Sequence, residues 1–376
     1  MSNGRDLRID FFRGLALIFI FWDHVPDNPL AQLTVRNFGF SDAAEIFVFL
    51  AGYAAILAYG RIARRDGLLV ANVRILRRTW VLYVVHIFLL TLLMGIVFVA
   101  NNHVETRDMV QQMGLEYFVG NPQQALADEL LLRFKPNLTD PLPLYIVLLL
   151  ALPLILPLML RRLEIAVGLS FALYLMVPLY GWNLRAYEGG GVWYFNPIAW
   201  QLLFVLGGAC ALRSQAAPAS VQRPLGQQPL FIAAALYVVV AGILTFSEKW
   251  PSMHAALVSI LHLEPLYPIS KTDLAPARLL HFLALVYVVA RLLPADQRWL
   301  DNWPARQVQR MGRYSLEIFC LGVLLAPLAD MANALAGDTW SMRFITAILG
   351  LGLMILMANG LELNKRLGRS AQPIPT

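Results

Sequence analysis

The stretch "RIDFFRGLALIFIFWDHV", residues 8–25, is apolar enough at its centre to cross a bilayer, yet it carries Arg13 near one end and Asp23 with His24 near the other. The whole chain sets the context for reading it. Over 376 residues, 58% are hydrophobic and only 14% are charged, and the mean hydropathy is +0.59. Such a composition excludes an ordinary soluble domain. Long apolar runs rather than alternating ones indicate helices, so the expected fold class is all-α, a polytopic integral membrane protein. Charged side chains are costly inside a bilayer, which makes those within the spans candidates for function. The first span ends in Trp22, Asp23 and His24 rather than in small residues suited to cleavage, so it reads as a retained helix and not as a signal peptide.

Ten spans are expected, at about residues 8–27, 43–60, 79–100, 142–160, 164–182, 193–212, 229–247, 274–293, 313–334 and 341–361. The pI of about 9.4 could suggest nucleic acid. The basic residues, however, are spread between apolar runs, and membrane sidedness explains them better. With both termini in the cytoplasm, most of the 30 Lys and Arg fall in inner segments, among them Arg61, Arg64, Arg65, Arg74, Arg77 and Arg78. Residues 101–141 then form a long periplasmic loop with an interfacial helix near Ala125–Phe134, either a binding element or a passive connector. Residues 214–229, rich in Pro, Ser and Gln, form a cytoplasmic linker between six spans and four, within what reads as one integral membrane domain, residues 1–376. No internal repeat is evident. Cys210 and Cys320 read as packing residues, without disulfide or metal spacing.

Eleven helical steps separate Arg13 from His24, about three turns, so both project from nearly one face along with Asp10, and His24 lies about 16 Å farther along the axis. A polar stripe therefore crosses the first span. Asp10 and Arg13 have i,i+3 spacing for an ion pair that anchors the helix end. Asp23 and His24 precede the break at Pro26, where an interfacial position is the alternative to a catalytic one. The second span opens with Asp42 and Glu45 spaced as a capping box, although a carboxylate at Glu45 could also orient the His24 ring and raise its basicity.

Other polar groups line possible paths. Arg74, Arg77 and Arg78 can grip phosphates, or simply mark the inner side. Lys271, Asp273, Arg278 and His281 gather at the entrance of the eighth span, with Arg278 and His281 as an i,i+3 pair, for binding an acyl carboxylate or sugar hydroxyls or for pairing helices. Trp200 and Gln201, beside Asn196, offer a stacking ring and an amide, or an interfacial anchor. Glu317 could pair with an arginine. His86 reads as a satisfied interior residue. His103, His254 and His262 form no zinc spacing, and no metal site is expected.

The Arg13-to-His24 spacing, the "FVFLAGY" of the second span and the "RILRR" cluster before the third resemble the membrane acyltransferase-3 superfamily. More narrowly, "DFFRGLALIFIFWDH", "DAAEIFVFLAGY", "TDPLPLY", "FNPIAWQLLFVLG", "KTDLAPARLLHFLALVY" and "MGRYSLEIFCLG" resemble the OpgC family over about residues 5–365. The resemblance implies succinylation of periplasmic glucan at a bacterial inner membrane, with His24 as the essential histidine, Arg13 as its partner and Arg74 with Arg77 on the donor side. One departure is that Tyr314, Ser315 and Leu316 lead to Cys320 and Leu321 with no second histidine. The resulting expectation is an O-acyltransferase with acyl-CoA as co-substrate, no tightly bound cofactor, glucan as acceptor, the lipid bilayer as surroundings and no nucleic acid. Direct attack and a covalent acyl intermediate both remain open, as does the oligomeric state. The rival readings are a transporter or flippase, whose inverted repeats are not found, and a membrane scaffold, for which the charged stripe has no use.

Overall fold

A computed structural model of the chain describes residues 6–216, 228–293 and 298–370. Among the described residues there are fifteen α-helices and no strands. They are α1 (Leu7–His24), α2 (Ala43–Asp66), α3 (Leu68–Asn101), α4 (Met109–Gln112), α5 (Glu116–Gly120), α6 (Pro122–Leu130), α7 (Pro141–Arg161) and α8 (Leu163–Tyr180). After them come α9 (Pro197–Ala216), α10 (Gln228–Ser247), α11 (Pro251–Ile260), α12 (Pro276–Leu292), α13 (Trp303–Arg313), α14 (Ser315–Leu335) and α15 (Trp340–Ser370). Eight of them, α2, α3, α7, α8, α9, α10, α14 and α15, are long and apolar enough to cross a membrane. The protein is an all-α polytopic membrane protein. The two further spans expected from the sequence are helices as well, but α1 carries four charged side chains in 18 residues and α12 has only 17 residues.

The elements start and stop for local reasons. Asp42 and Glu45 form the expected capping box at α2, satisfying backbone N–H groups that the first turn leaves without partners. Gly67, at φ +91, is the single residue between α2 and α3. The arginine-rich segment expected as an inner loop is therefore mostly helix, with Arg74, Arg77 and Arg78 on the first turns of a 34-residue α3. α8 stops at Gly181 in the left-handed region, which glycine enters without a Cβ clash. The helix expected near residues 125–134 lies earlier, at α6, since Leu132 at φ 58 cannot continue a right-handed helix. Most of the 214–229 linker falls outside the described residues.

The chain divides into two compact units. Unit 1 comprises residues 6–35 and 92–109 with the described part of 290–370, and unit 2 comprises 36–91 and 110–289. Neither boundary coincides with the linker.

Each unit contains a helix crossing made at the backbone. In unit 1 a Cβ on Gly14 would lie 1.9 Å from the Val308 carbonyl oxygen, and one on Gly312 would lie 1.8 Å from that of Asp10, so α1 and α13 touch through their glycines. In unit 2, Gly52 and Gly207 play the same part for α2 and α9, with 1.9 and 2.0 Å to the Phe204 and Phe49 oxygens. In lipid, helices associate through such close packing, because burial from water is not available as a driving force between them.

Polar ties complete each unit. In unit 1, Arg107 reaches Asp338 at 2.7 Å and Asp330 at 3.4 Å, and Arg343 reaches Asp27 at 3.1 Å. In unit 2 the loop between α8 and α9 folds back as a hairpin, bridged at Arg185 and Val192. Its Tyr187 stacks on Tyr117 of α5 at 4.1 Å and meets Phe134 edge-on.

Candidate active site

The polar stripe of α1 lies in unit 1, and its N-terminal half is held by neighbouring helices. Arg13 donates to the Ser315 hydroxyl at 3.0 Å. Asp10, 2% exposed, lies 3.5 Å from Arg313, which also faces Glu362 at 4.0 Å. Asp10 thus has a partner on α13, in addition to the i,i+3 spacing it shares with Arg13 on its own helix. The reason is the glycine crossing, which brings α13 against this turn of α1.

The C-terminal end of α1 is pinned while its histidine ring is left outward. The Trp22 indole donates to the Ala347 carbonyl at 3.3 Å, and the Trp22 carbonyl accepts from Asn28 at 3.0 Å. Asp23 accepts from the buried Thr34 hydroxyl at 2.7 Å. His24 is exposed, with Nδ1 at 2.5 Å from the Ile20 carbonyl oxygen. A carbonyl only accepts, so Nδ1 carries the proton and Nε2 is the basic nitrogen. The helix's own backbone, four residues back, thus holds one side of this ring. Glu45, considered for that task, belongs to unit 2, where it pairs with Arg278.

Unit 2 gathers Glu45, Lys271 and Arg278 with Asp42. Arg278 lies 2.6 Å from Glu45 and 3.3 Å from Asp42, and Lys271 lies 2.5 Å from Asp42. Glu45 is fully buried and also accepts from the Asp42 backbone N–H. Two carboxylates thus face two cations in a closed arrangement. Burial opposes charge on Asp42, yet Lys271 and Arg278 beside it hold the carboxyl well below the usual carboxylate range. Burial likewise works against the Lys271 ammonium, but Asp42 and Glu45 outweigh it and bind its proton more tightly than usual. Buried pairs satisfied this fully act mainly as ties between helices.

The remaining substrate candidates also have partners within unit 2, although His281 keeps a buried Nε2 without one. His281 does not pair with Arg278; its Nδ1 lies 2.8 Å from the Ser41 hydroxyl, and its ring fills the space a side chain on Gly39 would need. Asp273 accepts from Asn196 at 2.9 Å. Trp200 is fully buried, with its indole N–H shared between the Lys271 and Thr272 carbonyls at 3.1 Å, so its ring has no open face for a sugar. Gln201 donates to the Ser170 carbonyl and accepts from the Ser170 hydroxyl at 2.6 Å, joining α8 to α9. Arg74 and Arg77 are exposed, Arg78 is half-buried, and Arg74 stands 3.7 Å from Asp66. Their guanidinium groups are accessible to an anion from solvent. Among the described residues no cluster of His, Cys, Asp and Glu could hold a metal.

Sequence reasoning missed three groups of unit 2. His86 is fully buried and neither ring nitrogen has a hydrogen-bond partner, so it is not the satisfied interior residue expected. Lys135 lies over the Trp193 ring at 3.9 Å and makes only long bonds, 3.3 and 3.4 Å, to the Leu132 and Arg133 carbonyls. Asp140 precedes α7 without capping it. A lone His in an apolar run and a Lys in a loop carry no spacing signal.

A family model described as OpgC protein matches residues 5–366. No curated protein and no solved structure matches the chain. A match over nearly the whole length, on an all-α membrane fold, assigns the chain to the OpgC family, as a membrane acyltransferase of the OpgC type.

Proposed function

We propose that this acyltransferase moves a succinyl or closely related acyl group from a cytoplasmic acyl-CoA to hydroxyls of a periplasmic glucan, at a bacterial inner membrane, with His24 as general base. The observation that carries the reading is the exposed His24 ring, whose Nδ1 donates to the Ile20 carbonyl, the tautomer that puts the basic lone pair on Nε2. In the reaction Nε2 takes the proton of an acceptor hydroxyl as that oxygen attacks the thioester carbonyl. The carbon–sulfur bond breaks, coenzyme A leaves as thiolate, and it recovers a proton. Positioned donors stabilise the oxyanion between these events. Arg74, Arg77 and Arg78 supply accessible cations for the phosphates of the donor, and Arg13, held by Ser315, fixes the α1 stripe.

The test is transfer of labelled succinyl from succinyl-CoA to glucan by the purified protein. Arg74→Ala with Arg77→Ala is expected to raise the donor KM and leave the rate at saturation largely intact. Transfer from acetyl-CoA but never from succinyl-CoA overturns the choice of acyl group. Movement of an intact acylated substrate across vesicles without any transfer favours a flippase instead.

A further inference from the structure

In unit 1, a connected chain of contacts links the turn after His24 to three other segments. Arg343 of α15 lies 3.1 Å from Asp27 and 3.5 Å from an oxygen of Asp338. Arg107, from the segment after α3, shares that same Asp338 oxygen at 2.7 Å and reaches Asp330 of α14 at 3.4 Å. Asn333, one helical turn beyond Asp330, accepts from the buried Thr346 hydroxyl of α15 at 2.9 Å. Its backbone carbonyl accepts from the Asp338 N–H at 2.8 Å. Three steps along the chain keep the Cα of Asp27 within about 11 Å of that of His24, so the cluster borders the base proposed above.

Donors and acceptors in this cluster do not balance. Among the described residues, the buried Nε–H of Arg107, the buried Nε–H of Arg343 and the side-chain amide nitrogen of Asn333 have no hydrogen-bond partner. Asn333 is only 1% exposed. All three groups are donors. Buried polar groups are nearly always hydrogen-bonded, and an exception calls for a water, an ion or a ligand. The Asp27 side chain, 69% exposed, puts the cluster within reach of solvent.

Charge selects among the ligands that bring acceptors. Two guanidinium groups face three carboxylates, those of Asp27, Asp330 and Asp338, so a carboxylate or phosphate ligand would add to a negative excess. A metal ion would leave the three donors unanswered, and among the described residues no group of His, Cys, Asp and Glu could hold one. A hydroxyl meets both needs: its oxygen accepts from an N–H and its proton goes to a carboxylate. Neighbouring hydroxyls on one sugar ring offer that pairing several times over.

We propose that Arg107, Asn333 and Arg343, with the carboxylates of Asp27 and Asp338, form a binding site in unit 1 for a sugar ring of a neutral polyhydroxylated ligand. That this ligand is the acceptor glucan, held beside His24, rests on the function proposed above; the hydroxyl-binding chemistry does not.

The experiment uses the full-length protein in lipid nanodiscs, with tritium-labelled cellotetraose and laminaritetraose as probes. One of these oligosaccharides is expected to bind saturably, with affinity at least about tenfold weaker in Arg107→Met and in Asn333→Leu, as loss of hydrogen bonds from buried or charged donors implies. No saturable binding, equal affinity in the folded variants, or displacement of the sugar by succinate at equal concentration overturns the site. Phenylglyoxal, which modifies guanidinium groups, gives a reading that needs no variant. The bound oligosaccharide is expected to slow modification of Arg107 and Arg343 and to leave that of Arg74 and Arg77 unchanged, as followed by peptide mass spectrometry. Saturable binding without that protection also overturns the site. Acyl transfer by the unmodified protein is measured in parallel. Transfer to glucan without sugar protection of Arg107 and Arg343 removes this site alone. Protection and Asn333-dependent binding without transfer remove the acyl-transfer reading and leave the site standing.

Discussion

The end of α1 and the start of α2 both place ionisable side chains next to apolar runs, and they treat them in opposite ways. At α2 every charge is answered: Asp42 and Glu45 face Lys271 and Arg278, and the backbone N–H of Asp42 is bonded as well. At α1 the backbone around His24 is pinned through Trp22, Asn28 and Thr34, while the ring is turned to solvent in one defined tautomer. The contrast teaches how to separate structural from chemical charge in a membrane protein. A closed set of partners binds helices together, whereas an exposed ring on a pinned backbone suits the role that the proposed function gives His24.

The largest effect should come from removing the reactive atom. His24→Gln is expected to lower acyl transfer by about 10²–10⁴-fold, the usual contribution of a general base, while the thermal unfolding of the purified protein stays unchanged. The opposite pattern is expected at α2. Arg278→Met leaves Glu45 buried without its cation and should cost about 3–5 kcal/mol, seen as a lower unfolding midpoint in detergent. Adding Glu45→Gln to it should recover a large part of that loss. If the double variant is no more stable than the single one, the closed-cluster account of unit 2 is wrong.

Smaller effects sharpen the same division. Gly52→Ala places a methyl group against the Phe204 carbonyl oxygen and should destabilise unit 2 by about 1–3 kcal/mol through overpacking, measured by unfolding. The smallest change is Trp200→Phe, which removes one buried N–H donor, leaves two carbonyls short of it and should cost about 1 kcal/mol with transfer unaffected.

Much of this was legible in the sequence because it rests on local rules. Apolar run length located the helices, and the Asp42-to-Glu45 spacing announced a capping box that the structure contains. The face shared by Arg13 and His24 follows from helical geometry alone. Partners across helices were not legible. Asp10 meets Arg313 because Gly14 and Gly312 let two backbones touch, a contact no spacing rule foretells. Arg278 and His281 stand three residues apart, yet Glu45 and Ser41 claim them, since the approach to α2 offers each a partner of matching chemistry that two basic side chains cannot offer each other. Trp200 could be read equally as a binding surface or as an anchor, and only its complete burial decides the matter.

The central claim is that Nε2 of His24 is the base, with the ring mounted through Nδ1 on the Ile20 carbonyl. Chemical rescue tests it most directly: His24→Gly, purified and folded, is assayed for transfer from succinyl-CoA with increasing imidazole. The account predicts a nearly inactive variant whose transfer rises with imidazole concentration, while imidazole leaves the unmodified protein unaffected. Transfer at the unmodified rate without imidazole, or a folded variant that no concentration of imidazole revives, would contradict it.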